Sequence, residues 1–224
     1  MAAAQSFKVP GYVAERVTKK RGRLRIFDHF DAVESALVVI DMQKFYVDDV
    51  APALEIIPAI NRLAAGFRAR GGVVAWVSMT VGKDGQSLWP LYHDNFFLPE
   101  QGARHRDQLT EGADGHRLHP DLDAQAGDIY ASKARFSAFL PGKADLHEQL
   151  VARGIKNVAI TGVATNFCCE TSARDAMMLD YRVAMVWDAN AARYPEDHQI
   201  GFTTVFQSFG DVVTADEMLN EMLR

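Results

Sequence analysis

Residues 157–170 read Asn157-Val158-Ala159-Ile160-Thr161-Gly162-Val163-Ala164-Thr165-Asn166-Phe167-Cys168-Cys169-Glu170. The first five form a short apolar run with β-branched side chains, which predicts a strand. Gly162 to Asn166 breaks that run into a tight turn. Beyond it, 170–180 (ETSARDAMMLD) carries Ala, Met and Leu on one face and predicts a helix. Cys168 therefore falls near a helix N-terminus. The unsatisfied N–H groups and the macrodipole there favour an anion, so this position is expected to push a thiol toward thiolate, its reactive form. Cys169 is one residue further round the helix, about 100° away, and is expected to face the core.

The same alternation of strand and helix continues outward in both directions. Ala36-Leu37-Val38-Val39-Ile40 is an uninterrupted apolar run of the kind buried on both faces. After it, 53–70 has Leu54, Ile57, Ile60, Leu63 and Phe67 at helical spacing, closed by Gly71-Gly72 ahead of a strand at 73–77. A short run at 128–130 and a helix at 144–153 precede the opening stretch. A strand at 182–187, a helix at 198–209, a short strand at 211–213 and a helix at 215–223 follow it. Strands alternating with helices argue a parallel sheet covered on both faces, here an α/β, three-layer α/β/α Rossmann-like fold with a central, mostly parallel six-stranded sheet. A nucleotide-binding reading of that alternation fails, because no G-x-G-x-x-G follows the first strand.

Two regions depart from the pattern. Residues 1–31 carry a basic cluster (Arg16, Lys19, Lys20, Arg21, Arg23, Arg25) with little periodicity, which reads equally as an N-terminal arm over the domain or a neighbouring subunit and as a frayed end. Residues 32–224 then form one domain. Residues 81–126 are rich in His, Asp, Gly and aromatic side chains, with Trp89, Tyr92, Phe96 and Phe97 near the start. So long a loop-rich stretch is uncommon without a function, and part of it is expected to cover a site or form a subunit contact.

Composition narrows the class. With 224 residues, 48% hydrophobic content and a formal net charge of −5, the chain can bury a full core and offers no basic excess for nucleic acid. No apolar run approaches the roughly 20 residues needed to span a bilayer, and the first residues lack a signal-peptide core, so the expected location is cytoplasmic. The only two cysteines are adjacent, a spacing unsuited to a structural disulfide.

Two further polar residues end apolar runs. Asp41 follows the run 36–40, and Lys133 follows 128–130 in Ser132-Lys133-Ala134-Arg135-Phe136-Ser137-Ala138-Phe139. In open parallel sheets the carboxyl edge is where ligands bind. An acid, a cation and a thiol are thus expected to converge, although Asp41 as a turn cap and Lys133 as a solvated loop charge are the plainer readings of each alone.

Together, Asp41 in VVIDMQ, Lys133 in SKARFSAF and Cys168 in GVATNFCCETSARDA resemble the Asp-Lys-Cys triad of the isochorismatase-like cysteine hydrolases, over roughly residues 27–223. The nucleophile segment is similar to that of ureidoacrylate, N-carbamoylsarcosine and biuret or triuret amidohydrolases. That resemblance implies Asp41 as proton shuttle, Cys168 as nucleophile, Lys133 as the charge tuning both, an oxyanion hole from the Ala164 and Cys168 N–H groups, and a cis peptide at Val163–Ala164. It implies cleavage of a small linear amide or ureide through a thioester, without cofactor, in a homodimer or homotetramer. Gln43, Tyr46, Phe136, Ser137 and Gln207 are the candidate substrate-binding residues. Relatives acting on ureidoacrylate often carry Tyr where this chain has Phe136. The Asp-x-His pair by which nicotinamidases of the family hold a metal is missing after Val77, and only His116 and His119 stand close together, so no metal is expected. Alternatives are an isochorismatase-type vinyl ether hydrolase, which does not need the thiol, a nicotinamidase, and a catalytically silent scaffold.

Overall fold

The structure is a computed structural model and describes residues 7–82 and 88–224. The first six residues of the arm, and 83–87 within the 81–126 stretch, lie outside the described residues. The apolar runs become six strands: β1 Ser35–Ile40, β2 Val73–Met79, β3 Ile129–Lys133, β4 Asn157–Val163, β5 Arg182–Ala191 and β6 Asp211–Val213. They form one sheet in the order β3-β2-β1-β4-β5-β6, and every pairing is parallel. The chain begins at the centre, winds outward through β2 to β3, then returns to lay β4 against the other side of β1. Between β1 and β4 the strand order reverses, and in a parallel α/β sheet that switch point opens a crevice beyond the carboxyl ends.

Side chains of β1 alternate between two cores. Leu37 and Val39 pack with Ile57, Ile60, Leu63 and Phe67 of α3 (Ala53–Ala69) and with Met218. Ala36, Val38 and Ile40 pack on the opposite face with Leu146 and Leu150, Ala173 and Ala176, and Phe202. These come from α6 (Leu146–Val151), α7 (Glu170–Met178) and α8 (Pro195–Ser208). Each fully buried Leu, Ile or Phe contributes about 1.5–3 kcal/mol, so both layers are held chiefly by apolar burial.

Where the structure departs from sequence expectation, local causes are visible. β5 runs four residues past the predicted 187, because its pairing with β4 jumps register between Ile160 and Gly162 and resumes at Asn190. Asn190 closes the irregularity by donating to the carbonyls of Ile160 and Val186, at 2.9 and 2.7 Å. Gly162 is required there: its φ is +111°, and a Cβ would run into the backbone of Ile40. α8 starts three residues early because Pro195 occupies its first turn, followed by Glu196 and Asp197 at the positive end of the dipole. The last predicted helix divides into α9 (Ala215–Glu217), which opens with a Thr214/Glu217 capping box, and a π-helical turn over Met218–Met222.

The 81–126 stretch is more helical than expected. It holds α4 (Pro90–Asn95), α5 (Pro99–Gln108) and a 3-10 turn at Asp114–His116. Both helices start on Pro and are short and polar, and α5 buries only Gly102 and His105, so neither shows an apolar stripe. In the arm, α1 (Gly11–Arg21) lays Val13 and Val17 against Phe206 of α8. The N–H groups of Ile26 and Phe27 then donate to the buried Asp211 carboxylate, which ties the arm to the sheet. Among the described residues no helix is long and apolar enough to cross a membrane.

Candidate active site

Asp41, Lys133 and Cys168 arrive from three strand ends at the switch point. Asp41 is the first residue after β1 and takes a φ of +54°, a left-handed conformation uncommon for a non-glycine side chain and concentrated at functional sites. Lys133 is the last residue of β3. Cys168 sits in a π-helical turn (Thr165–Cys169) that links β4 to α7. The Val163–Ala164 peptide leading into that turn is cis.

Lys133 Nζ joins the group. It lies 2.8 Å from Asp41 Oδ2, 3.3 Å from Cys168 Sγ and 3.1 Å from the Arg135 carbonyl oxygen. Burial of Lys133 and Asp41 is nearly complete, at 1% exposure each, while Cys168 keeps 8%. The loop after β3 is fastened to α7 by Ser172 Oγ, which accepts from the Ala138 N–H at 2.9 Å.

Burial and charge set the protonation states. Burial raises the Asp41 carboxyl above the usual carboxylate range, with the Lys133 ammonium pulling the other way. Burial alone would lower Lys133, but Asp41 and Cys168 beside it hold it above the ordinary lysine value. Cys168 corrects the expectation of a lowered pKa. Burial first, and the Asp41 charge second, push its thiol well up, and Lys133 only partly offsets them. One buried cation compensates one anion, so the resting site holds an ammonium, a carboxylate and a neutral thiol. The arrangement is a base paired with a thiol that becomes an anion only on losing its proton.

Cys168 and Asp41 open into a cavity of about 600 Å³, within the range of small-molecule pockets. Among the candidate substrate-binding residues, Tyr46 and Phe136 line it. The other three face elsewhere. Gln43 clamps the end of β2, donating to the carbonyls of Met79 and His116 and accepting from the Met79 N–H. Ser137 Oγ accepts from the Phe139 N–H within its own loop. Gln207 lies on the α1 side of α8, where its carbonyl oxygen accepts from Arg16. Tyr92, Phe97, Arg104 and His105 of the 81–126 stretch form much of a wall that single-residue reasoning did not identify, although the aromatic cluster had marked the region. Arg193 and Asp49 form an ion pair at the rim. His116 bonds Thr80 and His119 lies near Asp121, and among the described residues no three His, Cys, Asp or Glu side chains gather as metal ligands.

A parallel sheet between two helical layers, with a buried thiol, carboxylate and ammonium at its switch point, defines a hydrolase of the α/β/α cysteine type. The chain belongs to the isochorismatase family: the Isochorismatase domain matches residues 35–217. A ureidoacrylate amidohydrolase of Rhizobium rhizogenes is 33% identical over 202 residues, 82% of this chain and 81% of that protein. The crystal structure of a cysteine hydrolase from Pseudomonas syringae pv. phaseolicola superposes with a TM-score of 0.77 at 28% identity, over 88% of this chain and 95% of its own. An N-carbamoylsarcosine amidase from Thermoplasma acidophilum gives 0.66 at 26% identity, over 82% and 98%.

Proposed function

We propose that this protein is an amidohydrolase that cleaves a small linear amide or ureide at a C–N bond through a thioester on Cys168. Asp41 takes the thiol proton as Cys168 Sγ attacks the carbonyl carbon, and the new oxyanion is held by the N–H groups of Ala164 and Cys168. The C–N bond then breaks, and Asp41 returns its proton to the departing nitrogen. A water that gives a proton to Asp41 attacks the thioester, releasing a carboxylate or carbamate and restoring the thiol. Lys133 stays charged throughout and stabilises whichever of its two neighbours is anionic.

The observation that carries this reading is the single ammonium in contact with both a buried carboxylate and a buried thiol. It lets one proton move between two acids without adding a net charge to a dry site. Relatives named as ureidoacrylate amidohydrolase and N-carbamoylsarcosine amidase support the ureide class, and a cavity of about 600 Å³ has ample room for such molecules. The test is ammonia release from ureidoacrylate, N-carbamoyl amino acids, biuret, triuret and nicotinamide, with wild type beside Cys168→Ala. Release from a ureide that depends on Cys168 is the expected result. Release that survives Cys168→Ala, or no release from any ureide of the panel, refutes the reading.

A further inference from the structure

A polar chain for which the chemistry above has no use runs inward from the cavity wall, where Tyr46 and His105 line the cavity, to His93 behind them. Tyr46 Oη is 3.2 Å from His105 Nε2, His105 Nδ1 is 3.0 Å from His93 Nε2, and His93 Nδ1 is 2.9 Å from the Trp89 carbonyl oxygen. His93 and His105 are almost wholly buried, at 2% and 6% exposure, among the rings of Tyr92 and Phe97. Burial holds both imidazoles below the usual histidine range, His105 at about 4, and its neighbours His93, Lys133 and Arg106 act in the same direction. Both rings are neutral at neutral pH.

A neutral imidazole has one donor and one acceptor, so the chain has a direction. A carbonyl oxygen only accepts, which places the proton of His93 on Nδ1 and leaves its Nε2 an acceptor. His105 must then donate from Nδ1, and its Nε2 becomes an acceptor in turn. The partner of that nitrogen is the Tyr46 hydroxyl, whose proton is committed inward. Turning the hydroxyl toward the cavity would strand a buried lone pair on His105, a larger loss than an ordinary hydrogen bond. Tyr46 lines the same cavity as Cys168 and Asp41.

We propose that Tyr46 faces the substrate as a hydrogen-bond acceptor only, with its polarity fixed by Trp89, His93 and His105, and that it selects a ureide offering an N–H at this wall over one that is alkylated or presents an oxygen there. This rests on the ureide reading of the site. Tyr46 is the specificity-determining residue, and His93 and His105 are positioning residues that act through it.

Two measurements test the proposal. Nitrogen-15 NMR of the imidazoles, assigned with His93 and His105 variants, is expected to show Nδ1 protonated and Nε2 unprotonated in both rings; a proton on His105 Nε2 overturns it. Calorimetric binding to the Cys168→Ala protein then compares N-carbamoylglycine with counterparts fully methylated at one nitrogen or the other. Methylation at one of the two positions should weaken binding roughly ten-fold. Tyr46→Phe and His105→Leu in that background should erase the penalty, whereas His105→Gln, which can accept from Tyr46 and donate to His93, should keep it. A penalty unchanged in Tyr46→Phe, or no binding by any of the three compounds, overturns the proposal. Selective binding without ammonia release by wild type would sink the catalytic reading and leave this one standing, while ammonia release with no N–H selectivity would do the reverse.

Discussion

The floor and the wall of the cavity are built on opposite principles. The floor consists of charged groups on strand ends, an ammonium against a carboxylate with a thiol between sheet and helix, all nearly inaccessible to water. The wall comes from α2 (Lys44–Asp49) and the short helices α4 and α5, and its central polar groups are neutral: a phenol and two imidazoles joined in a chain. Buried charge is costly, and groups perturbed in this way cluster at functional sites. Neutral hydrogen-bond direction costs less and is enough to distinguish one small molecule from another. The two regions should therefore fail differently when altered, the floor in rate and stability, the wall in selectivity.

The largest effects belong to the floor. Cys168→Ala and Asp41→Asn are each expected to lower kcat by about 10⁴-fold or more, as when one member of a catalytic unit is lost, with the circular dichroism spectrum unchanged. Comparable loss from Tyr46→Phe would abolish the distinction between floor and wall. Lys133→Met should damage both rate and fold, because it leaves Asp41 buried with no cation beside it, a change that costs about 3–5 kcal/mol in buried pairs. Without that cation the thiol pKa also rises, so alkylation by iodoacetamide should shift to higher pH. Denaturant unfolding and an alkylation profile both matching wild type would mean that the ion pair is absent in solution.

The wall gives a pH signature instead. His105 titrates near 4 when folded and near 6.5 when unfolded. Between those values the unfolded chain binds the extra proton, so this contribution is complete above 6.5 and is lost as pH falls toward 4. The loss amounts to about 3 kcal/mol for a shift of that size. His198 is displaced to a similar value, and Asp41 in the opposite sense, so the difference between wild type and His105→Gln isolates the one residue. Stability curves that stay parallel from pH 7 to pH 4 would show His105 to be solvated, and the wall would lose its neutral chain.

The contrast also explains what could be read from sequence. Asp41 is visible as the polar residue that closes an apolar run, because burial of β1 on both faces imposes continuous hydrophobicity, and Cys168 as a thiol in the turn after another such run, whereas Lys133 ends the edge strand β3, where Tyr130 is exposed, and is legible through its motif. The protonation state of Cys168 is not legible in this way, since helix-terminus position is local while the burial and the Asp41 charge that hold the thiol neutral come from tertiary neighbours. The wall was only partly legible. His93 and His105 are twelve residues apart and meet Tyr46 through packing between helices that carry no apolar stripe. Gln43 and Gln207 show the converse, polar residues near the motifs whose hydrogen bonds are already used by Met79 and Arg16. The early start of α8 was masked by a polar first turn behind Pro195.

The smallest expected effect is the sharpest test of geometry. Cys169 follows Cys168 directly, yet it is fully buried in the core that holds Ala173, Ala176 and Phe202, with Sγ 3.8 Å from the Thr161 carbonyl oxygen. Burial pushes its thiol well up, its hydrogen bond goes to a backbone carbonyl where Cys168 has the Asp41 and Lys133 pair beside it, and it does not line the cavity. Cys169→Ala should cost about 1 kcal/mol through the small void left by the sulfur, and kcat/KM should stay within about three-fold of wild type, since less than 1 kcal/mol of transition-state stabilisation is at stake. Iodoacetamide should label one site in wild type and the same site in this variant. A rate loss like that of Cys168→Ala would mean that one step along the turn does not separate the two thiols, and the floor would then extend into the core behind it.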